Sequence, residues 1–346
     1  MTLTPSDKVS ERADIGVLVI GGGAAGLAAA LALARLGHRV ELVERSPALG
    51  GRASRLSALF PDLRPASHVI EGMVTAVEAE ERITIRKSRT VVSLSSREDG
   101  FLIELDDGSV IGVRAIVMAT GLEEVPPSLV PEYGHGAKDG VVSSIELEGM
   151  LRSGRVAGRS GRPVRSAVFV QCVGSRTERR GVPYCSALCC ANAVKNALAL
   201  KRLDPAMEVT VLYIDLRTTG AGQESLYREA RRSGVRFIRG QPSLVLEKGG
   251  DLVVCGENTL LRELYEIRAD LVVLGTGLRQ SPGNLLLLDT FGVRQGLAGF
   301  PAADSGIEGL FLCGSAKGPM DLPTAIADAR SCALAAHSYL DEKKGK

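Results

Sequence analysis

Gly21-Gly22-Gly23-Ala24-Ala25-Gly26 follows an apolar run, Gly16 to Ile20, and opens a helix-like stretch that continues to Leu36. After Gly37 a second apolar segment, Arg39 to Val43, ends at Glu44, 23 residues beyond Gly21. Strand, glycine loop, helix and acid-terminated strand in this order predict a β-α-β dinucleotide-binding unit. Gly21 permits the tight turn, Gly23 lets pyrophosphate oxygens approach the backbone, and Gly26 lets the helix pack closely, while the unpaired N–H groups of the helix N-terminus face the phosphates. Glu44, followed by Arg45, is placed to accept from ribose hydroxyls. The loop alone leaves FAD and NAD as alternatives.

Working outward, Ile83 to Ile85, Val91 to Ser95 and Phe101 to Leu105 read as a β-meander, closed by the turn Asp106-Asp107-Gly108 and followed by a buried strand, Ala115 to Ala119. A proline-marked linker, Val125-Pro126-Pro127, sets a domain break. A second β-α-β unit is predicted from a strand at Ser166 to Gln171, a helix over about Ser186 to Leu203 and a strand at Val209 to Ile214, with no glycine loop of its own. A helix at Ser225 to Ser233, a strand at Val235 to Ile238, a hairpin at Leu244 to Val254 and a strand at Leu271 to Leu274 complete a second sheet, and the last strand is Leu310 to Cys313. The expected fold is α/β, with two doubly wound dinucleotide-binding-type domains: residues 1–125 with 300–346, and residues 126–299.

The bulk numbers agree with two domains. The chain has 346 residues, 45% hydrophobic and 24% charged, with 40 glycines. A net charge of +2 with both signs interspersed gives no sustained field for nucleic acid or anionic lipid. The longest apolar run, Ala24 to Ala34, is too short for a membrane span, and the polar stretch Met1 to Asp14 lacks the apolar core of a secretory signal, so a cytoplasmic location is expected.

Four of the seven cysteines crowd between residues 172 and 190, in Gln171-Cys172-Val173-Gly174-Ser175 and Tyr184-Cys185-Ser186-Ala187-Leu188-Cys189-Cys190. Four thiolates at a strand end and a helix start suit a [4Fe-4S] cluster, one sulfur to each iron. Zinc is the main alternative, although its sites usually space cysteines two to four residues apart and the adjacent Cys189-Cys190 pair fits that poorly. Inert buried cysteines are a third reading, and packing residues are what Cys255, Cys313 and Cys332 are expected to be. Cys185 and Cys190 also form a C-x4-C pair, the spacing of some disulfide-reducing flavoproteins, but outside the domain where such enzymes carry it.

Three further segments, Gly50-Gly51-Arg52, Ala119-Thr120-Gly121 and Leu310-Phe311-Leu312-Cys313-Gly314-Ser315, resemble the two-dinucleotide-domain flavoproteins and favour FAD in the first domain. That resemblance implies that the glycine doublet supports the pyrophosphate helix, that the Ala-Thr-Gly turn lies beside the cofactor, and that the late strand meets the ribityl chain. A helix starting near Asp321 to Ala325, including Thr324, would aim its N-terminus at the flavin pyrimidine.

The run Val168 to Arg176, with Pro183-Tyr184-Cys185, Cys189-Cys190, Tyr213-Ile214-Asp215, Val235 to Gly240 and Cys313 to Asp321, resembles the A-type polypeptide of heterodisulfide reductase over most of the chain. The resemblance implies FAD and a [4Fe-4S] cluster held by Cys172, Cys185, Cys189 and Cys190. It also implies electron exchange with HdrB-like and HdrC-like iron–sulfur subunits, a homodimer, and Lys195 near flavin N5 as a catalytic residue. There is no C-x2-C-x2-C-x3-C-P run, and Leu59-Phe60-Pro61-Asp62-Leu63 is not followed by the cysteines of longer relatives. On this basis the chain is more similar to the short A-type component of the heterodisulfide-reductase-like complexes of sulfur oxidisers. A self-sufficient NAD(P)H-dependent disulfide oxidoreductase is the alternative function.

Overall fold

A computed structural model describes residues 15–302 and 306–344. The expectation resting on Met1 to Asp14 lies outside these residues. The described residues divide into two units, one of residues 15–54, 68–123, 280–302 and 306–344, the other of residues 55–67 and 124–279.

The first unit starts with β1 (Ile15–Ile20), α1 (Ala24–Arg35) and β2 (Val40–Glu44), then α2 (Ala66–Glu78), β3 (Ile83–Lys87), β4 (Val91–Arg97), β5 (Gly100–Leu105) and β6 (Val110–Met118). Strands β3, β2, β1 and β6 run in parallel, whereas β4, β5 and the first half of β6 form an antiparallel meander. The segment at Ile83 is therefore not part of the meander expected from the sequence. It is the parallel edge strand of a second β-α-β crossover, and α2, its connecting helix, supplies the length that a parallel connection requires.

Two residues after β7 (Glu123–Glu124), the linker prolines begin, and the second unit follows with β8 (Val141–Ser143), α3 (Ser144–Arg152), β9 (Ser166–Val173), α4 (Cys189–Leu203), β10 (Glu208–Tyr213), α5 (Ala221–Arg232) and β11 (Arg236–Arg239). Next come β12 (Leu244–Lys248), β13 (Asp251–Asn258), β14 (Glu263–Ala269), β15 (Leu271–Thr276) and β16 (Leu278–Arg279). The parallel sheet is ordered β11-β10-β9-β15-β8, and β12-β13-β14 form a separate antiparallel sheet. Helices α3 to α5 pack on one face, with Phe169, Val194, Ala197 and Leu226 in the core, and the antiparallel sheet covers the other, with Val168, Val170, Val254 and Leu274. Full burial of one such side chain contributes about 1.5–3 kcal/mol. The chain then returns to the first unit as α6 (Pro282–Thr290), β17 (Leu310–Leu312), which pairs in parallel with β6, and α7 (Leu322–Lys344).

Both boundaries differ from the sequence expectation, for reasons of packing. Residues 55–67, expected in the first domain, belong to the second unit because Phe60 and Leu63 pack against the core that contains Phe169 and Leu226. Residues 280–299, expected in the second domain, belong to the first because Leu288, Phe291 and Val293 share a core with Leu18, Ile103 and Met118. Among the described residues no helix is long and apolar enough to cross a membrane.

Candidate functional sites: a glycine cradle and a cysteine loop

At the C-terminal edge of the first sheet, β1 ends in Gly21, whose φ of +107° excludes most side chains. A Cβ on Gly26 would stand 1.7 Å from the Gly21 carbonyl oxygen, so α1 sits as close to the turn as backbone allows. The N-cap residue, Gly23, has no side-chain cap and the first turn of α1 carries no acid, which leaves the N–H groups at Ala24 and Ala25 for an anion. A Cβ on Gly23 would meet nothing nearer than Gly51 Cα at 3.9 Å, so there is room above the loop for a phosphate.

The other segments expected around this loop converge on it. Gly50 N–H donates to the Gly22 carbonyl at 2.8 Å, and a Cβ on Gly51 would come within 2.9 Å of Gly23 Cα. A Cβ on Gly21 would strike the Ala119 carbonyl at 2.5 Å, which puts the turn Ala119-Thr120-Gly121 against the loop, and Asn284 Nδ2 donates to the Gly121 carbonyl at 2.8 Å. Gly314 lies against Ala25, with its N–H donating to Asp328 at 2.8 Å and Ser315 following it. Arg45 is exposed and Arg52 half-buried at the edge of the doublet.

Glu44 and Asp321 both have partners in the backbone. Glu44 is buried and accepts from Gly22 N–H at 2.6 Å and Ser46 N–H at 2.7 Å. Its carboxylate therefore fixes the loop that it follows, and a hydroxyl would share oxygens already in use. Asp321 accepts from Thr324 N–H at 2.9 Å and caps α7, so the first turn of that helix is not open in the way that of α1 is.

The cysteines lie in the second unit, where β9 gives way to α4. Between Leu274 and Thr276 the register of β15 against β9 slips, so that Gln171 and Cys172 together face Gly275. Such a bulge re-aims a side chain, and Cys172 takes a φ of +60° within it. The chain from Gly174 to Leu188 is tied back at several points: Val182 N–H to the Gly174 carbonyl at 3.0 Å, Arg176 N–H to the Tyr184 carbonyl at 3.2 Å, Tyr184 Oη to the Leu278 carbonyl at 2.9 Å, and Leu278 N–H to Ser186 Oγ at 2.7 Å.

This path brings the Cys172 thiol against Cys189, and Cys189 against Cys190. Cys172 is pulled down to about 7, first by Cys189 and then, against the opposing effect of burial, by the Arg176 guanidinium and Ser175. Cys190 is lowered by Cys189 and by the Arg217 N–H, whereas Cys189 is raised by its contacts with both neighbours. Cys185 is half-buried on the loop, accepting from Ala187 N–H at 3.4 Å.

Among the described residues no three His, Cys, Asp or Glu side chains converge as a single metal ion requires. Four sulfurs without a carboxylate or imidazole are the donors that an iron–sulfur cluster uses. Gln171, next to Cys172, is buried with both amide atoms unsatisfied, and so is Ser175 Oγ on the loop. Buried orphans of this kind call for a further group. The four cysteines fit an iron–sulfur cluster on the chemistry of the donor set.

Residues 16–98 match the FAD-dependent oxidoreductase family. The chain is 32% identical to HdrA, the iron–sulfur A component of CoB–CoM heterodisulfide reductase, from Methanocaldococcus jannaschii, over 93% of this chain and 64% of that one. It is 38% identical to the corresponding component of the H2/formate:CoB–CoM heterodisulfide,ferredoxin reductase of Methanococcus maripaludis over 65% of this chain and 37% of that one. The chain is a homologue of the heterodisulfide reductase HdrA proteins. It spans just under two thirds of the length of the relatives it matches over most of its own length. In fold the HdrA homologue is similar to the thioredoxin reductases of Lactococcus lactis, with a TM-score of 0.69 and 20% identity over 95% of this chain and 99% of that one, and of T. acidophilum, with a TM-score of 0.65 and 19% identity over 93% and 97%. Two dinucleotide-binding domains are what these proteins share with it.

Two features of the HdrA homologue go beyond what its sequence predicts. Lys195, expected beside the flavin, is fully buried in the second unit, with Nζ 2.5 Å from Glu148 Oε1 and 2.9 Å from the Ala58 carbonyl. Glu148 also accepts from Ser57 N–H at 2.8 Å and Ser57 Oγ at 2.6 Å, so the pair ties residues 57 and 58 to α3 and α4. Burial pushes the Glu148 carboxyl up, but the Lys195 ammonium and the Ser57 donors outweigh it and hold it below the usual carboxylate range. The start of α3, which carries Glu148, is marked in the sequence by the Ser143/Glu146 capping box, which both members complete, but Glu148 itself is not. The second feature, Arg176 on Asp215, had no such mark.

Proposed function

We propose that this protein is the FAD- and [4Fe-4S]-containing electron-transfer component of a heterodisulfide-reductase-like complex. FAD supplies two-electron redox chemistry when bound and the cluster one-electron exchange. Ala24 and Ala25 N–H groups bind the pyrophosphate. Glu44 keeps their loop in place, and Gly51, Thr120 and Ser315 border the cofactor. Cys172, Cys185, Cys189 and Cys190 ligate the cluster.

The observation that carries this reading is the contact of Cys172, at the end of β9, with Cys189 and of Cys189 with Cys190 at the start of α4. In a nicotinamide-binding domain a glycine loop occupies this position. The disulfide or sulfane chemistry belongs on this view to HdrB-like and HdrC-like partners, in sulfur oxidation, with the protein working as a homodimer in the cytoplasm.

The test is analysis of anaerobically purified protein for flavin, iron and acid-labile sulfide. Flavin with iron and sulfide in equal amounts is expected. Flavin without either would falsify the reading, and so would rapid bleaching of the flavin by NADPH in the isolated protein, which is the behaviour of a self-sufficient disulfide oxidoreductase.

A further inference from the structure

We infer that Arg176, held by Asp215, is a positioning residue that lays a fixed positive charge against the cysteine site and favours its more electron-rich state. The inference rests on the cluster reading above and goes beyond it by naming what sets the electrostatics of that site.

The geometry is that of an arginine folded back over the strand it has just left. Cys172 and Arg176 both have φ of +60°, and Ser175 N–H closes the turn on the Cys172 carbonyl at 3.2 Å. The turn returns the guanidinium to the Cys172 thiol. Nη2 donates to Asp215 Oδ2 at 2.7 Å, which fixes the orientation, while Nη1 is buried and has no partner of hydrogen-bonding geometry. One arm of the guanidinium is thus anchored, and the other is left for the sulfur side.

Asp215 closes the arrangement from the neighbouring strand. It follows β10, and its backbone carbonyl lies 3.6 Å from Cys190 Sγ. Its carboxylate also meets Arg239 at 3.8 Å and the charge of Arg217. Arg176, Arg239 and Arg217 thus all act on the one carboxylate, and the surplus charge is positive. In a nicotinamide-binding domain the acid at the end of this strand holds a ribose. Here the carboxylate is engaged by arginine, and its residue borders the sulfur site instead.

A cluster with four thiolates is an anion and becomes more negative on reduction, so a cation held beside it favours the reduced form. Hydrogen bonds and net charge near the sulfurs are the levers by which a protein sets such a potential. The surroundings make the lever effective. Arg176 is half-buried, with 24% of its side chain exposed, and a charge in that position is screened less than one on the open surface.

The test is an anaerobic dithionite titration, followed by paramagnetic resonance, of the full-length wild-type protein and of Arg176→Lys, Arg176→Gln and Arg176→Met. The result expected is a lower midpoint potential in the two neutral variants, with Arg176→Lys nearer the wild type. Loading that follows charge, with the lysine variant holding iron and the neutral ones losing it, supports the same conclusion. Equal potentials in all four proteins overturn the inference. A shift of the same size in all three variants, or failure of all three to load, also overturns it, because geometry rather than charge is then what Arg176 supplies. Wild-type protein without iron overturns the cluster reading itself, and this inference with it.

Discussion

Gly26 and Gly21 touch backbone to backbone: a methyl group on Gly26 would stand 1.7 Å from the Gly21 carbonyl oxygen. The obstacle is main chain held by β1 and by the Gly21 N–H bond to the Val43 carbonyl at 2.8 Å, so it cannot rotate aside. Gly26→Ala is expected to cost at least the roughly 1–3 kcal/mol of an overpacked core. It should also release FAD. Thermal unfolding with a flavin assay on the purified variant checks both; a variant with full flavin and an unchanged Tm contradicts the close approach.

Glu44 anchors the same loop through two backbone donors. Glu44→Gln keeps one acceptor but turns an amide toward an N–H and removes the charge. Hydrogen bonds to charged groups contribute about 1.5–3 kcal/mol, and losing one should weaken FAD binding about tenfold or more. Flavin fluorescence during titration of the apoprotein measures this. An unaltered affinity would mean that the loop holds its shape without the carboxylate.

The Glu148–Lys195 pair is closed to solvent on both sides, with 0% and 1% of the side chains exposed. Removing one partner leaves a buried charge uncompensated, at about 3–5 kcal/mol. Lys195→Met and Glu148→Ala should each be strongly destabilising in urea unfolding, whereas the double variant should lose much less than the sum. Additive losses would exclude the coupling.

The same pair gives the stability an acid limb. The Glu148 carboxyl is held below its usual range in the folded protein, while in the unfolded chain a glutamate titrates at about 4.3. The unfolded state therefore binds the proton first, and the pair's contribution is fully present above that value. It is lost as pH falls through the depressed folded value. Urea midpoints measured from neutral pH downward should decline more steeply in the wild type than in the Glu148→Ala, Lys195→Met double variant.

Substitution of any one of Cys172, Cys185, Cys189 and Cys190 by alanine should lower the iron content of anaerobically purified protein, and Cys255→Ser should not. Cys255 lies on β13 in the antiparallel sheet, opposite Leu244 and Glu266. Iron loss on changing Cys255 as well would point to a general effect of thiol removal.

Much of this architecture was legible because it is local. The loop from Gly21 to Gly26 carries its own strand, turn and helix, and the first two strands fall within a residue of where the apolar runs placed them, whereas β6 begins five residues earlier than expected and β13 ends four residues later. The edge strand at Ile83 was not legible, because three short alternating segments in succession look alike and only the partner tells a parallel edge from a meander. Its helix α2 contains Gly72, His68, Thr75 and three valines, all modest helix formers, so local propensity gave little help. The transfer of residues 55–67 to the second unit depends on Phe60 and Leu63 packing against that unit's core, and no composition change marks it. For the sites, the cysteines announced themselves by crowding. Their companions did not: Glu148 lies 47 residues from Lys195 and Asp215 lies 39 from Arg176, distances for which no spacing rule exists.

The bulge at the end of β9 seats two residues, Gln171 and Cys172, where its partner strand has one. Loss of a single residue there would iron the ladder flat, and the position would pass to a side chain pointing to the opposite side of the sheet. This spot should therefore accept exchange of its amino acids more readily than any change in their number. A relative that carries a one-residue deletion here, with every cysteine retained, would be a poor candidate for the same chemistry.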